Sequence, residues 1–162
     1  MLKKVQISIQ SIQYQPPEPH TDDDELEQPE TILQKTSASW RETDEELSLT
    51  YTDPDEQSQG EVRMQFFFRK DDPQTVTLTR SGNSYYQLLF CEGRRCSCDY
   101  NVGGMMIKLT THTTSLQNRL LEDGTLHLEY MLELQGCSNG KRVIDIQVEP
   151  QSDTTIIREY RS

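Results

Sequence analysis

The sequence predicts an all-β protein, an antiparallel up-and-down meander of eight to ten strands closed into a barrel. Two observations carry that expectation. Between Glu61 and Tyr100, strand-length segments alternate with turns of two to four residues; Val62, Met64, Phe66 and Phe68 share one parity, as do Val76, Leu78 and Arg80. A period of two marks a strand with one buried face. Only 33% of residues are hydrophobic and Ala38 is the single alanine, while Thr, Val, Ile, Tyr and Phe fill the periodic segments, a composition that favours strands over helices. An open sheet of this width would expose two edges; closure removes them, with a two-sheet sandwich as the alternative. The 162 residues amount to one domain over 1–150, with an acidic, Pro-rich insertion at 15–28 and a tail or extra edge strand at 151–162.

Lys3 to Tyr14 forms the first strand. Val5, Ile7 and Ile9 share a face and Ile12 and Tyr14 take the opposite parity, which predicts a β-bulge near Gln10-Ser11. Gln15 to Gln28 has no period and reads as an exposed loop. Pro29 to Arg41, with Ile32, Ala38 and Trp40 on one parity, and Glu46 to Tyr51 form a hairpin around Glu42 to Glu45. Asp53 to Gly60 is a loop. The central meander follows, with turns at Asp71-Asp72-Pro73 and Ser81-Gly82-Asn83. A turn at Gly93-Arg94 would set Glu92 opposite Arg95 and Cys91 opposite Cys96. Gly103-Gly104 breaks the chain before Met105 to Thr114. Ser115 to Glu122 is read as a strand, a short helix ended by Gly124 being the alternative. Asp123-Gly124 turns into Thr125 to Leu134, whose even positions are apolar throughout, and Gly136 to Gly140 turns into Lys141 to Val148. Thr154 to Ile157 offers an edge strand.

A net charge of −11, concentrated in Glu18 to Glu30, repels phosphate backbones, and the basic clusters outside the N-terminus are only adjacent pairs. Nucleic acid is therefore not an expected partner. Neither a secretory h-region after Met1-Leu-Lys-Lys-Val5 nor a membrane-spanning run is present, so a soluble cytoplasmic protein is expected.

Cys91, Cys96, Cys98 and Cys137 invite a zinc reading, but the Cys96-Ser-Cys98 pair, roughly 7 Å apart on a strand, has no second Cys or His pair to complete a site. Free, partly buried thiols are expected, with a Cys91–Cys96 cross-strand disulfide as the alternative. His20 and His127 are expected to face solvent, and His112 sits among threonines. No nucleophile motif, calcium loop or phosphate-binding glycine loop occurs, so neither an enzyme, a metal nor a cofactor is expected.

Arg80-Ser-Gly82, Phe90-Cys-Glu-Gly93, Tyr100, Gly104, Thr113-Thr-Ser-Leu116 and Leu128-Glu-Tyr130-Met-Leu132 resemble, in order and spacing, the YwiB-like family of uncharacterised bacterial β-barrel proteins. The resemblance runs from about Val5 to Val148 and implies a small calycin-like (lipocalin-like) barrel with no catalytic residues to carry over. The acidic insertion, Cys96-Ser-Cys98 and the short Tyr100 to Gly104 turn depart from it.

The barrel interior is left as the place for chemistry. Trp40, Phe66, Phe68, Tyr86, Phe90 and Tyr130 fall on inward parities, and Arg80 shares the parity of Val76 and Leu78. An inward arginine in an apolar barrel receives a ligand carboxylate by a bidentate contact; the competing account is a packed core with Arg80 reaching water near its turn. A small, partly apolar ligand in the interior is the expected partner. The alternative is an interaction module using the acidic loop or the outer face, and homodimerisation through exposed edges or faces is left open.

Overall fold

In a computed structural model, which describes residues 1–14, 29–55, 60–82 and 85–149, the chain forms ten strands and no helix among those residues. These are β1 (Leu2–Tyr14), β2 (Glu30–Glu42), β3 (Glu46–Asp55), β4 (Gly60–Arg69), β5 (Asp72–Ser81), β6 (Tyr86–Cys91), β7 (Arg95–Val102), β8 (Met105–Arg119), β9 (Thr125–Leu134) and β10 (Cys137–Glu149). They make a single antiparallel sheet in the order β6-β5-β4-β3-β2-β1-β10-β9-β8-β7. Chain neighbours pair with one another except at β6 and β7, and β1 pairs with β10 in the middle of the sheet. The sheet curls until β6 and β7 meet, giving a nearly closed barrel.

Inward residues follow directly from register. Trp40, Leu49, Phe66, Leu78 and Leu88 stand opposite one another in turn across β2 to β6, and Val76 stands opposite Phe90. With Phe68, Leu47, Ile7, Leu126, Leu128 and Ile146 they form one buried core. Burying such a side chain contributes about 1.5–3 kcal/mol, so the stability of the fold lives here.

Several connections differ from the sequence expectations. No bulge interrupts Gln10-Ser11: the register of β1 with β10 and with β2 runs without a shift. The parity change marks an apolar patch on the outside instead, where Ile12 stands opposite Val143, and Lys141 lies 5.5 Å from the Tyr14 ring centre. The irregularities fall between Phe67 and Arg69, Thr113 and Ser115, and Ser138 and Lys141. β3 continues through Pro54 to Asp55, so the expected loop does not begin at Asp53, and 56–59 lie outside the described residues. The β9–β10 turn is two residues long, Gln135 and Gly136, both at positive φ as a tight hairpin of this hand requires, and the residues up to Gly140 belong to β10. Ser115 to Arg119 is strand, as expected, and Leu120 to Asp123 turn. The acidic insertion with His20, and the tail with its Thr154 to Ile157 segment, lie outside the described residues.

The Cys91–Cys96 register is also corrected. β6 and β7 do not form a ladder; Cys91 stands opposite Thr75 and Cys96 opposite Thr111. The turn between them is bound to β8: Gly93 N donates to Thr113 O at 2.8 Å and Thr113 N to Arg94 O at 3.2 Å. All four cysteines are free thiols.

Side chains do much of the work at this seam. One isolated bridge joins Tyr85 to Asn101. Thr111 Oγ1 donates to Leu89 O at 2.8 Å, and Leu116 N donates to Glu92 Oε1 at 2.9 Å. At the far end Asn118, 7% exposed, donates through Nδ2 to Pro73 O at 2.8 Å and accepts from Leu120 N at 3.1 Å, while its backbone exchanges two bonds with the Gln74 amide. Buried polar groups cost about 1–3 kcal/mol each when left unpaired. Asn118→Leu strands Pro73 O and Leu120 N, and is expected to lower the unfolding free energy by about 3 kcal/mol in urea titration. A loss below about 1 kcal/mol would show that the Asn118 bonds do not hold the seam.

Candidate functional site

The seven residues singled out in the sequence divide into two groups. Trp40, Phe66, Phe68 and Phe90 are core: each is buried, and Phe90 stacks at 4.7 Å, tilted, on Tyr130. Trp40 sits at the core's edge, donating from Nε1 to Glu42 Oε1 at 3.0 Å beneath the Lys3 ammonium. Arg80, Tyr86 and Tyr130 converge instead at one polar end of the interior. There Tyr51, Met64, Arg80 and Tyr86 stand opposite one another across β3 to β6. Facing them, Thr113, Tyr130, Arg142 and Gln13 stand opposite one another across β8, β9, β10 and β1.

This end is built from phenols and guanidiniums. Tyr86 and Tyr100 meet edge-on at 5.2 Å, and the Arg80 guanidinium lies 5.8 Å from the Tyr86 ring centre. Burial raises the Tyr51 and Tyr86 phenols, and pushes Tyr130 up to about 12 despite the neighbouring Arg142. All three therefore stay protonated at neutral pH and serve as hydrogen-bond donors. Burial also raises the Cys98 thiol, which lies beside them and is correspondingly unreactive. Two side-chain atoms in the same register row, Thr113 Oγ1 and Arg142 Nε, are buried without a hydrogen-bond partner among the described residues. Such atoms are rare in native structures, and each calls for an account: strain, a water, an ion or a ligand.

Arg142, Tyr51, Tyr100 and Thr113 were not singled out in the sequence. Arg142 shares the parity of Ile144, Ile146 and Val148, so its inward direction was written in the alternation, as Arg80's was.

A second feature lies on the outside of the barrel. A half-open cleft of about 690 Å3 runs over β8, β9, β10, β1 and β2, lined among others by Gln10, Leu33, Gln117, His127, Asp145 and Gln147. His127, expected to face solvent, is clamped there: Nδ1 lies 2.6 Å from Asp145 Oδ1 and Nε2 lies 2.8 Å from Glu129 Oε2. Partial burial pulls the imidazole pKa down, but the bonds to Asp145 and Glu129 outweigh it and hold it above the ordinary value. The bond from His127 holds the Glu129 carboxyl low, aided by Lys141. With both ring nitrogens occupied by carboxylates, His127 has no lone pair directed at a nucleophile, so the arrangement is an ion-pair clamp and not a catalytic dyad.

The fold and these sites define a β-barrel of the family described as a domain of unknown function, DUF1934. The model of that family matches residues 18–146, and the chain belongs to it. The solved structure of the YwiB protein from Bacillus subtilis is similar, with a TM-score of 0.64 at 16% identity over 92% of this chain and 94% of that one. At that identity the likeness concerns the fold. No protein with curated function matches the sequence.

Two predictions separate core from site. Phe66→Ala is expected to cost about 3–5 kcal/mol of stability by denaturant titration, as a cavity in a packed core does; a cost under about 1 kcal/mol would mean the ring borders free space. For the clamp, the raised His127 contributes stability that is complete below its unfolded pKa of 6.5 and is lost as pH rises through the folded value. Glu129, held low, contributes stability that is complete above 4.5 and is lost as pH falls through its folded value. Thermal melts should thus show a plateau between those values and a decline on the alkaline side that His127→Gln flattens; an unaltered alkaline limb would count against the clamp.

Proposed function

We propose that this protein is a non-enzymatic cytoplasmic barrel that takes a small, partly apolar acid into the polar end of its interior. The observation that carries the proposal is the row of Thr113, Tyr130 and Arg142, in which a buried hydroxyl and a buried guanidinium nitrogen have no hydrogen-bond partner among the described residues. A carboxylate or phosphate set against Arg142 supplies a charge-assisted bond, and the protonated phenols of Tyr51, Tyr86 and Tyr130 donate to its remaining oxygens. Met64, Ile144 and the rim of the aromatic core offer the apolar remainder a surface. Barrels of about eight strands are just wide enough for their own side chains, and ten strands enclose more.

The non-enzymatic part of the reading rests on the absence of a base beside any hydroxyl or thiol among the residues discussed: His127 is clamped and burial raises the Cys98 thiol. The cytoplasmic part rests on four free thiols and a chain rich in acidic residues.

Calorimetric titration with dodecanoic acid and with dodecanol tests the reading. The acid is expected to bind more tightly than the alcohol, and Arg142→Met, which keeps the volume of the side chain, to weaken the acid about 10- to 100-fold while leaving the alcohol unchanged. Equal affinity for the two, or an acid affinity indifferent to Arg142→Met, would overturn the assignment.

A further inference from the structure

The outer cleft is independent of the interior, and its lining has a chemistry of its own. Register places Gln117, His127, Asp145, Gln10 and Leu33 in one row across β8, β9, β10, β1 and β2. A second row, two residues along, holds Thr125, Gln147, Ser8 and Lys35. All share the outward parity of their strands, and all line the cleft. Ile9, Leu126 and Ile146, which also border it, are buried in the core, so their outward contribution is backbone.

We infer that this cleft binds a neutral polyhydroxy small molecule, a sugar or sugar alcohol. Three features point there. Some of the hydrogen-bonding groups are already spent: both ring nitrogens of His127 on carboxylates, Thr125 Oγ1 on Asp123 at 2.6 Å, and Ser8 Oγ on Glu149 at 3.3 Å. The side chains of Gln10, Gln117 and Gln147 make no hydrogen bond, and Lys35 no ion pair, among the described residues. Each primary amide offers two donors and an acceptor side by side, the pattern that a hydroxyl, itself donor and acceptor, satisfies.

Charge is the second feature. The protein carries −11 overall, yet among the residues lining the cleft the charged side chains are one carboxylate, Asp145, and one ammonium, Lys35, with His127 bound to Asp145. A balanced lining gives neither a phosphate nor a polyamine an advantage, and so selects an uncharged polar ligand. Size is the third: about 690 Å3 falls within the range of small-molecule sites, while Leu33, 74% exposed, supplies one apolar wall of the kind a sugar's C–H face meets.

The test is a two-dimensional NMR titration of the full chain with maltose, N-acetylglucosamine and inositol, with glucose 6-phosphate and trialanine as charged and peptidic comparisons. The neutral probes are expected to shift the side-chain amide signals of Gln10, Gln117 and Gln147 saturably. The double change Gln117→Leu with Gln147→Leu, which touches only outward positions, is expected to weaken binding about tenfold, and Arg142→Met to leave it unchanged. No saturable shift of those amides at roughly 50 mM of any neutral probe overturns the inference, since the weakest useful site would be visible there. Shifts produced by trialanine or glucose 6-phosphate and not by the neutral probes overturn it as well, assigning the cleft to a peptide or an anion.

Discussion

Everything in this protein depends on closing a ten-stranded sheet along a line where the backbone ladder lapses. β6 and β7 follow each other in the chain but do not pair as a hairpin; among the described residues one isolated backbone bridge, Tyr85–Asn101, forms at their junction, beside the edge-on contact of Tyr86 with Tyr100. Closure passes to β8, whose Thr111, Thr113 and Asn118 take up the main chain of β6, the β6–β7 turn and β5, while Leu116 N bonds the Glu92 carboxylate. Every unpaired backbone group left inside would cost free energy comparable to a lost hydrogen bond. Two of the buried polar side chains of β8 meet that demand, Thr111 at Leu89 O and Asn118 at Pro73 O. The β-branched Thr111 fits both needs, since it favours extended backbone and carries a hydroxyl.

The same arrangement gives the interior a direction. At one end Asn118, Gln74 and Pro73 interlock, and Gly124, at positive φ, lies so close to Val148 that a Cβ there would meet its carbonyl at 3.1 Å. That end is sealed. Phenylalanines and leucines fill the middle; the rows of Tyr86 with Arg80 and of Tyr130 with Arg142 add tyrosine and arginine, while Leu132 and Leu109 continue the apolar lining along β9 and β8. Groups that could have been spent on closure are spent at the sealed end and left over at the other, where Thr113 Oγ1 and Arg142 Nε lack partners among the described residues. A polar end opposite a sealed end therefore accompanies the way the barrel is closed.

Much of this was legible in the sequence. Period-two alternation gave eight to ten strands in outline and assigned the inward faces of β4, β5, β9 and β10 correctly, because a buried face admits only one parity. It failed where an apolar residue served the exterior: Ile12 and Tyr14 imitate a bulge, yet they pack beside Val143 and Lys141 on the outside. It failed again at the β6–β7 connection, since nothing local records that Gly93 and Arg94 bond to β8 and not across a hairpin. For the site, inward parity found Arg80, Tyr86 and Tyr130 but could not separate them from Trp40, Phe66, Phe68 and Phe90. Position along the barrel axis decides between core and site, and that depends on register among strands far apart in sequence. The clamp on His127 was invisible for the same reason, its partner Asp145 belonging to a different strand.

The central claim, that the polar end of the interior holds a small acid through Arg142, is tested most directly by native mass spectrometry of protein freshly purified from cells under gentle conditions. Denaturation and extraction of the released material follow. The account predicts a stoichiometric companion mass that is released as a small organic acid and is missing from protein carrying Arg142→Met. A bare chain at every charge state, unchanged after incubation with the extracted acids of the cell, would contradict it.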